Sequence, residues 1–433
     1  MIAFNRYFSP VACILLLSLF LALSCGKRES SQLEQGLSFY RQNKLKEALP
    51  LLKGAVESDP QNADAHAWLG ETYRRLGQTE DAIKAARKAM ELDPCHSFGH
   101  TVLASAYTPK SIGSWEGANA DTSWYHLGKA AACDSSDGNI WMGGWVEAIR
   151  RGDQALEKRA LRLLIQTDFL TPALLAYNRW MLRHLPKNAL LLTNGDMDTY
   201  PAVALQEVEE FRTDVVIANR SLLNTSWYAR HLRDRYGVPL TFEDDQLDSL
   251  KTHRDDDGNL ILMADQIIEG WLELRQRNAF PRPIAIAVTV GDMSFAEDTK
   301  DHLTLAGPFH SWLPFPAENP EDTTMMRMSL ADIDPEDFRG PLVSPQDRSP
   351  VRLVGTNRLV TNITAAALRY SQALIESGRA AEVFPMLKWA QGFEEKTALG
   401  PVFAEQIEEL KEKAIDEVAN KLDIMTIKRP LTD

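Results

Sequence analysis

No glycine-rich phosphate loop, HExxH, GxSxG or paired CxxC pattern occurs in this chain of 433 residues. The most recognisable nucleotide enzymes, zinc proteases and serine hydrolases therefore have no signature here, and nothing calls for a cofactor. Positive charge is also short: 47 Lys and Arg against 60 Asp and Glu give a formal net charge of −13 and a pI near 5.3. That balance disfavours nucleic acid or an anionic lipid surface as the main partner. Beyond the N-terminal segment no apolar run approaches the roughly 20 residues that a membrane span requires. Cysteines number four.

What is present begins with an address. Arg6 is followed by an apolar run from Val11 to Leu23 that stops at Ala22-Leu23-Ser24-Cys25-Gly26, a pattern of export rather than of spanning. A small residue directly before a cysteine resembles the lipobox of bacterial lipoproteins, which implies a signal peptide over 1–24 and lipid (palmitate) attachment at Cys25. Ala22 and Leu23 depart from that pattern, and an ordinary cleaved signal with Cys25 incidental is the alternative. Polar residues 25–32 then read as a tether. By resemblance, Gly26 after the lipid-bearing cysteine favours the outer membrane of the cell envelope. Of the remaining cysteines, Cys95 and Cys133 fall near predicted helix ends in neighbouring repeats and could pair in an oxidising compartment. Two separate buried thiols are the expectation.

The mature chain, roughly 400 residues, suits two or three domains. Gly36, Phe39, Ala48, Leu52, Ala55 and Pro60 recur 34 residues later as Gly70, Tyr73, Ala82, Ala86, Ala89 and Pro94. Small residues at 70, 82 and 89 let two helices approach, while Leu69 and Tyr73 fill the gap between them. This period and pattern resemble tetratricopeptide repeats, and the repeat region is expected over 33–165. A third copy starts at Ser97 and is interrupted at Thr108-Pro109. The helix Thr122 to Ala132 reads as its displaced partner, and 140–165 as a further degenerate pair broken at Arg151-Gly152-Asp153. The resemblance implies a concave groove for a protein or peptide, with Gln35, Phe39, His66, Leu69 and Tyr73 near it.

From 166 to 355 the pattern changes. Continuous apolar runs at 189–192, 215–218 and 284–290 suit parallel strands buried on both faces, so an α/β domain with a mostly parallel sheet is expected. Helices are predicted over 200–211 and 227–236, a turn over 254–259, and a long irregular surface connection from Pro314 to Pro350. A C-terminal helical tail with a repeat-like pattern fills 356–433. The run Leu191-Leu192-Thr193-Asn194-Gly195-Asp196-Met197-Asp198-Thr199-Tyr200-Pro201, then Leu205 to Glu209, Asn219, Ser221 to Thr225 and Trp227-Tyr228, resembles the soluble C-terminal part of a bacterial membrane-protein family of unknown function related to protein O-mannosyltransferases. Arg282 to Val290 and Leu305 to Pro314 continue the likeness, which covers roughly 165–395. Met197 stands where asparagine would be expected and Ser226 where aspartate would be. The family's many-spanning half, where sugar transfer from a lipid-linked donor is expected, has no counterpart in the sequence. The resemblance therefore does not carry transferase activity.

Polar residues follow the first two strands, where ligands collect in open α/β sheets. Asn194, Asp196, Asp198 and Thr199 form one candidate rim, and Asn219, Ser221, Asn224 and Thr225 the other. Two carboxylates two apart could hold a hard cation, or serve like the Asp-x-Asp of nucleotide-sugar enzymes. The same residue types cap helices and make tight turns, with Asp196 and Thr199 as caps and Asn194-Gly195 as the turn, and that reading is preferred. Trp227 and Tyr228 are either an apolar wall for a sugar or packing at a helix start. Cys95, His96 and His100 superficially suit zinc, but no fourth ligand lies nearby, and no metal or catalytic residue is assigned. His302 and His310 are lone histidines.

The expectation is a lipid-anchored envelope scaffold or binding protein, joined to the membrane through its anchor and to a protein or peptide through its repeats. A glycan or small polar ligand at the rim is a further candidate. The alternative is an enzyme or accessory subunit acting on envelope glycans around Asp196 and Asp198.

Overall fold

The computed structural model describes residues 32–109, 115–256, 258–291, 293–397 and 400–427; Cys25 and the expected signal and lipobox lie outside them. The chain divides into two compact units. One holds the described residues up to Ile140 together with Arg348–Val354, and the other holds the described residues of Trp141–Asp347 and those from Gly355 onward.

The first unit is helical: α1 (32–41), α2 (Leu45–Ser58), α3 (Ala63–Arg75), α4 (Thr79–Leu92), α5 (Ser97–Tyr107) and α6 (Ala120–Cys133). Each turn has a local cause. Asn62 accepts from the Ala65 amide at the start of α3, and Gly77, at φ +80°, takes the left-handed conformation that closes the α3–α4 turn. A Cβ on Gly70 would stand 3.1 Å from the Ala82 carbonyl oxygen, so any larger residue would push α3 and α4 apart by a few tenths of an ångström. Tyr40, Trp68 and Phe98 stack edge to face in succession, with ring centroids 5.2 and 4.6 Å apart, tying successive repeats through one aromatic row. The third pair, α5 and α6, keeps its packing despite the insertion, because Trp115 folds back and donates Nε1–H to the Ala106 carbonyl at 2.9 Å. The expectation of separate thiols is corrected: Cys95 and Cys133 form a disulfide, with Cα atoms 5.3 Å apart. Cys95 precedes α5 and Cys133 ends α6, so reversal of direction between the two helices brings these ends together.

The second unit contains most of α7 (Gly138–Arg151), then α8 (Gln154–Gln166), α9 (Pro172–Arg183), β1 (Leu190–Thr193), α10 (Asp196–Glu209), β2 (Val216–Asn219), α11 (Ser226–Tyr236), α12 (Asp244–Ser249), the hairpin of β3 (His253–Arg254) and β4 (Leu260–Ile261), α13 (Met263–Gln276), β5 (Ile284–Ala287), β6 (Leu303–Leu305), β7 (Phe309–Trp312) and α14 (Thr323–Ala331). The short helix α15 (Pro350–Gly355) crosses between units, and α16 (Thr361–Glu376), α17 (Val383–Lys396) and α18 (Ala404–Ile427) complete the chain. The sheet has the order β2-β1-β5-β7-β6; β2, β1 and β5 run parallel, and β7 and β6 join antiparallel. Its continuous apolar strands are explained by two cores. Leu190, Leu192, Ile284 and Ile286 pack with α11 and α13, while Leu191, Ala285 and Ala287 pack with α9 and α10.

The stretch from Pro314 to Pro350 is not an irregular connection. It contains α14, with Met326 and Leu330 buried one turn apart, and carries Phe338, Leu342 and Val343 into the interior. Trp180 donates to the Ser329 carbonyl at 2.9 Å and Thr171 to that of Leu342 at 3.1 Å. Proline and acid in this stretch concealed a short amphipathic period. Among the described residues no helix is long and apolar enough to cross a membrane.

Candidate functional site

The chain leaves β1 for β2 on one side and later enters β5 on the other. The order therefore reverses between β1 and β5, and their carboxyl ends mark the crevice where such sheets bind ligands. Here the loop after β1 supplies Asn194 and Gly195, the first turn of α10 supplies Asp196, Asp198 and Thr199, and the loop after β5 supplies Thr289.

Asp198 is at the centre and only 3% exposed. Its carboxylate accepts from the Asn194 amide at 2.8 Å, from the Gly195 amide at 2.9 Å and from the Thr289 hydroxyl. Burial pushes its pKa above the usual carboxylate range, against the pull of the Thr289, Asn194 and Gly195 donors. The side chain thus closes the β1–α10 turn by reaching back from the third helical position to the Gly195 amide, the half of a capping box that a glycine N-cap allows. Asp196 is half-buried on the first turn of the same helix. The preferred capping reading named Asp196 and Thr199 as the caps; Asp198 bonds the turn through the Asn194 and Gly195 amides.

The second set of predicted residues joins the first. Asn219 donates Nδ2–H to the Thr199 hydroxyl at 2.8 Å and to the Gly195 carbonyl at 3.2 Å, while its Oδ1 accepts from the Leu222 amide at 2.9 Å. Thr199 also pairs with the Thr193 hydroxyl at 2.7 Å. Ser221 donates to the Asn194 carbonyl at 2.9 Å, locking one loop to the other. Asn224 donates to the Arg220 and Ser221 carbonyls and accepts from the Ala264 amide, and Thr225 donates to the Leu222 carbonyl. The structure brings all eight positions to one sheet end, yet Thr199 and Asn219 are buried and most of the polar atoms are satisfied by the chain itself. Tyr228 accepts from the Asn219 amide at 3.2 Å and is buried, so it packs the helix start. Next to the rim lies a pair that sequence reasoning missed. Arg220 donates to the buried Asp265 carboxylate at 2.6 Å and lies over the Phe295 ring at 5.5 Å. A charged residue directly after the apolar strand β2 was the available signal.

Of the predicted groove residues in the repeats, His66 is buried with Nε2 at 3.1 Å from the Pro60 carbonyl, and Leu69 lies in the helix-packing core. Phe39 and Tyr73 pack partly buried on the same core, and Gln35 lies on α1. The polar contacts to another segment come from different residues. Tyr40 donates to the Arg348 carbonyl at 3.0 Å, Arg75 to the Ser349 hydroxyl at 2.8 Å, and Asn139 Oδ1 accepts from the Arg348 amide at 3.1 Å. The Arg348 guanidinium pairs with Asp137 at 2.6 Å and covers the Phe98 ring at 4.4 Å.

The three groups considered for zinc go separate ways: Cys95 to its disulfide, His96 to Asp64 at 3.1 Å, and His100 to His126 at 3.1 Å. Among the described residues no group of three or more His, Cys, Asp or Glu is placed to hold a metal ion. His302 bonds the Leu313 carbonyl at 2.8 Å and stacks on Trp312; burial depresses the pKa of His310.

Residues 33–94 match the tetratricopeptide-repeat family, and 175–255 match the family described as TMEM260-associated domain 2. The first match lies within the N-terminal helical repeats, and the second lies within the stretch likened to the mannosyltransferase-related family. No curated protein matches the chain. Among solved structures, a thermophilic tetratricopeptide-repeat protein from Thermus thermophilus is 17% identical, with a TM-score of 0.32, over 48% of this chain and 92% of that one. A second, the structure of Naa15/Naa10 bound to HypK-THB, is 13% identical with a TM-score of 0.29, over 92% of this chain and 58% of that one.

Proposed function

We propose that this protein is an exported, lipid-anchored scaffold of the bacterial cell envelope that binds a protein or peptide through its repeats and is not itself a sugar transferase. The observation that carries the reading is the treatment of Arg348 and Ser349. Repeat side chains bond the backbone amide and carbonyl of Arg348 as well as its guanidinium, which is how a groove recognises an extended chain. The Cys95–Cys133 disulfide supports an oxidising, exported setting. Attachment at Cys25 to the outer membrane is supported by the sequence pattern.

The glycan-enzyme alternative placed its polar site around Asp196 and Asp198. Asp198 is already committed to two amides and a hydroxyl, which leaves few of its lone pairs for a cation.

The test is fractionation and capture with full-length protein. A Cys25→Ser variant is expected to fold normally and leave the membrane fraction, while the anchored wild type captures a protein partner that an Asp137→Ala/Asn139→Ala variant loses. Persistent membrane association of Cys25→Ser would refute the anchor; equal capture by both forms would refute the groove.

A further inference from the structure

We infer that the repeat groove is a recognition site for an arginine-bearing peptide of the type Arg-Ser-Pro, and that the chain's own Arg348-Ser349-Pro350 occupies it as an internal competitor. The inference rests on the scaffold reading and names the chemistry of the partner.

The site has three parts. Phe98, 7% exposed, offers a ring face to the guanidinium, and Asp137, 5% exposed, neutralises it. A cation held between an aromatic face and a shielded carboxylate is selective for arginine, whose planar group stacks and bonds at once. Tyr40 and Asn139 then read the backbone on either side of that residue, and Arg75 reads the hydroxyl that follows. Pro350 opens α15 and is buried. Recognition thus covers a side chain, two main-chain groups and a hydroxyl within two consecutive residues.

The described bonds to Arg348 and Ser349 are polar. Within α15, Pro350 is buried and Leu353 half-buried, but Val351 is 57% exposed and Val354 42% exposed, so the helix buries only part of its apolar surface. A segment held in this way exchanges more readily than one anchored by buried aliphatic side chains. Tethering nevertheless gives it an effective concentration on the order of a millimolar. A free peptide of similar intrinsic affinity therefore binds far more weakly than the bare groove would allow, and a partner with further contacts on the repeats overcomes the block.

The experiment uses full-length protein and a fluorescent peptide of residues 345–355, compared with the same peptide carrying alanine in place of its first arginine. By anisotropy, an Arg348→Ala/Ser349→Ala protein is expected to bind the native peptide at least tenfold more tightly than wild type does. It should bind the alanine peptide at least tenfold more weakly than the native one, and adding Asp137→Ala should abolish binding. Equal binding by wild type and variant, or of both peptides, overturns the inference. A second measurement needs no variant: millimolar native peptide should speed amide exchange over 351–354 in wild type, and unchanged exchange is equally decisive against it. If the peptide fails in both assays while envelope capture still depends on Asp137 and Asn139, the scaffold stands and only the internal competitor falls.

Discussion

The polar residues at the end of the β-sheet bond to the turns around them and to each other, as Asp198 does to Asn194 and Gly195 and Ser221 does to Asn194. Tyr40 and Arg75 of the repeat helices reach much further along the chain, to Arg348 and Ser349. The first arrangement shapes loops; the second fixes a distant segment of the same chain against the repeat helices. Density of polar residues after a strand is therefore a poor guide to binding, because turn and cap geometry consumes the same residue types.

This contrast can be broken experimentally, and the largest effect is expected at the buried ion pair. Arg220→Ala strands Asp265, 1% exposed, without its partner, and should cost about 3–5 kcal/mol in denaturant unfolding. Replacing both residues with apolar side chains should recover much of that loss. A single-variant cost below ~1 kcal/mol would mean that the rim is open to water and available to ligands.

Next comes the disulfide. Cys95 and Cys133 are 38 residues apart, and a loop of that length corresponds to about 4 kcal/mol in the chain-entropy limit. Reduction or a Cys95→Ser/Cys133→Ser variant should lower the melting temperature of the repeat unit while near-ultraviolet signals from Trp271 in the other unit persist. Asp198→Ala should cost about 2–3 kcal/mol, since two amides and a hydroxyl lose their acceptor. Asp198→Asn should be damaging too, because an amide offers N–H where the site supplies donors. Unchanged stability with altered ligand response would sharpen the comparison the other way.

The smallest effect is with pH. Burial, with His100 and Arg87 nearby, depresses the pKa of His126 from 6.5 to about 4. The unfolded chain takes up that proton first, so the folded repeat loses stability as pH falls from 6.5 towards 4. Asp198 has the opposite sign: its folded pKa is raised, so acidification through the range above its unfolded value of 3.8 favours the folded form. Melting temperatures at pH 7 and pH 5 should show a drop of a few degrees that His126→Gln flattens. A slope unchanged in that variant would assign the loss elsewhere, His231 being the next candidate with a pKa of about 4.

Much of the fold was legible because its determinants are periodic. Gly70, Ala82 and Ala89 mark close helix approach, and the unbroken run at Leu190, Leu191 and Leu192 marks a strand covered on both faces. The helix Thr323–Ala331 was not legible, since prolines and acids around it obscure the Met326–Leu330 period. Nor was the disulfide: adjacency of Cys95 and Cys133 depends on how α5 and α6 close across an irregular insertion. At the rim, composition named the eight residues but not that Asp198 turns back to the Asn194 and Gly195 amides, because both aspartates offer the same chemistry and only geometry shows which bonds each makes.

Sequence by itself determined the repeat period, the strand–helix alternation and the acidic balance, all of which are written in local spacing and residue type. Tertiary structure alone decided that Thr289 meets Asp198, that Arg220 finds Asp265, and that Arg348 settles against Phe98 and Asp137. Contacts between residues tens to hundreds of positions apart leave no spacing to read, because their partners are chosen by where the packed cores carry the chain.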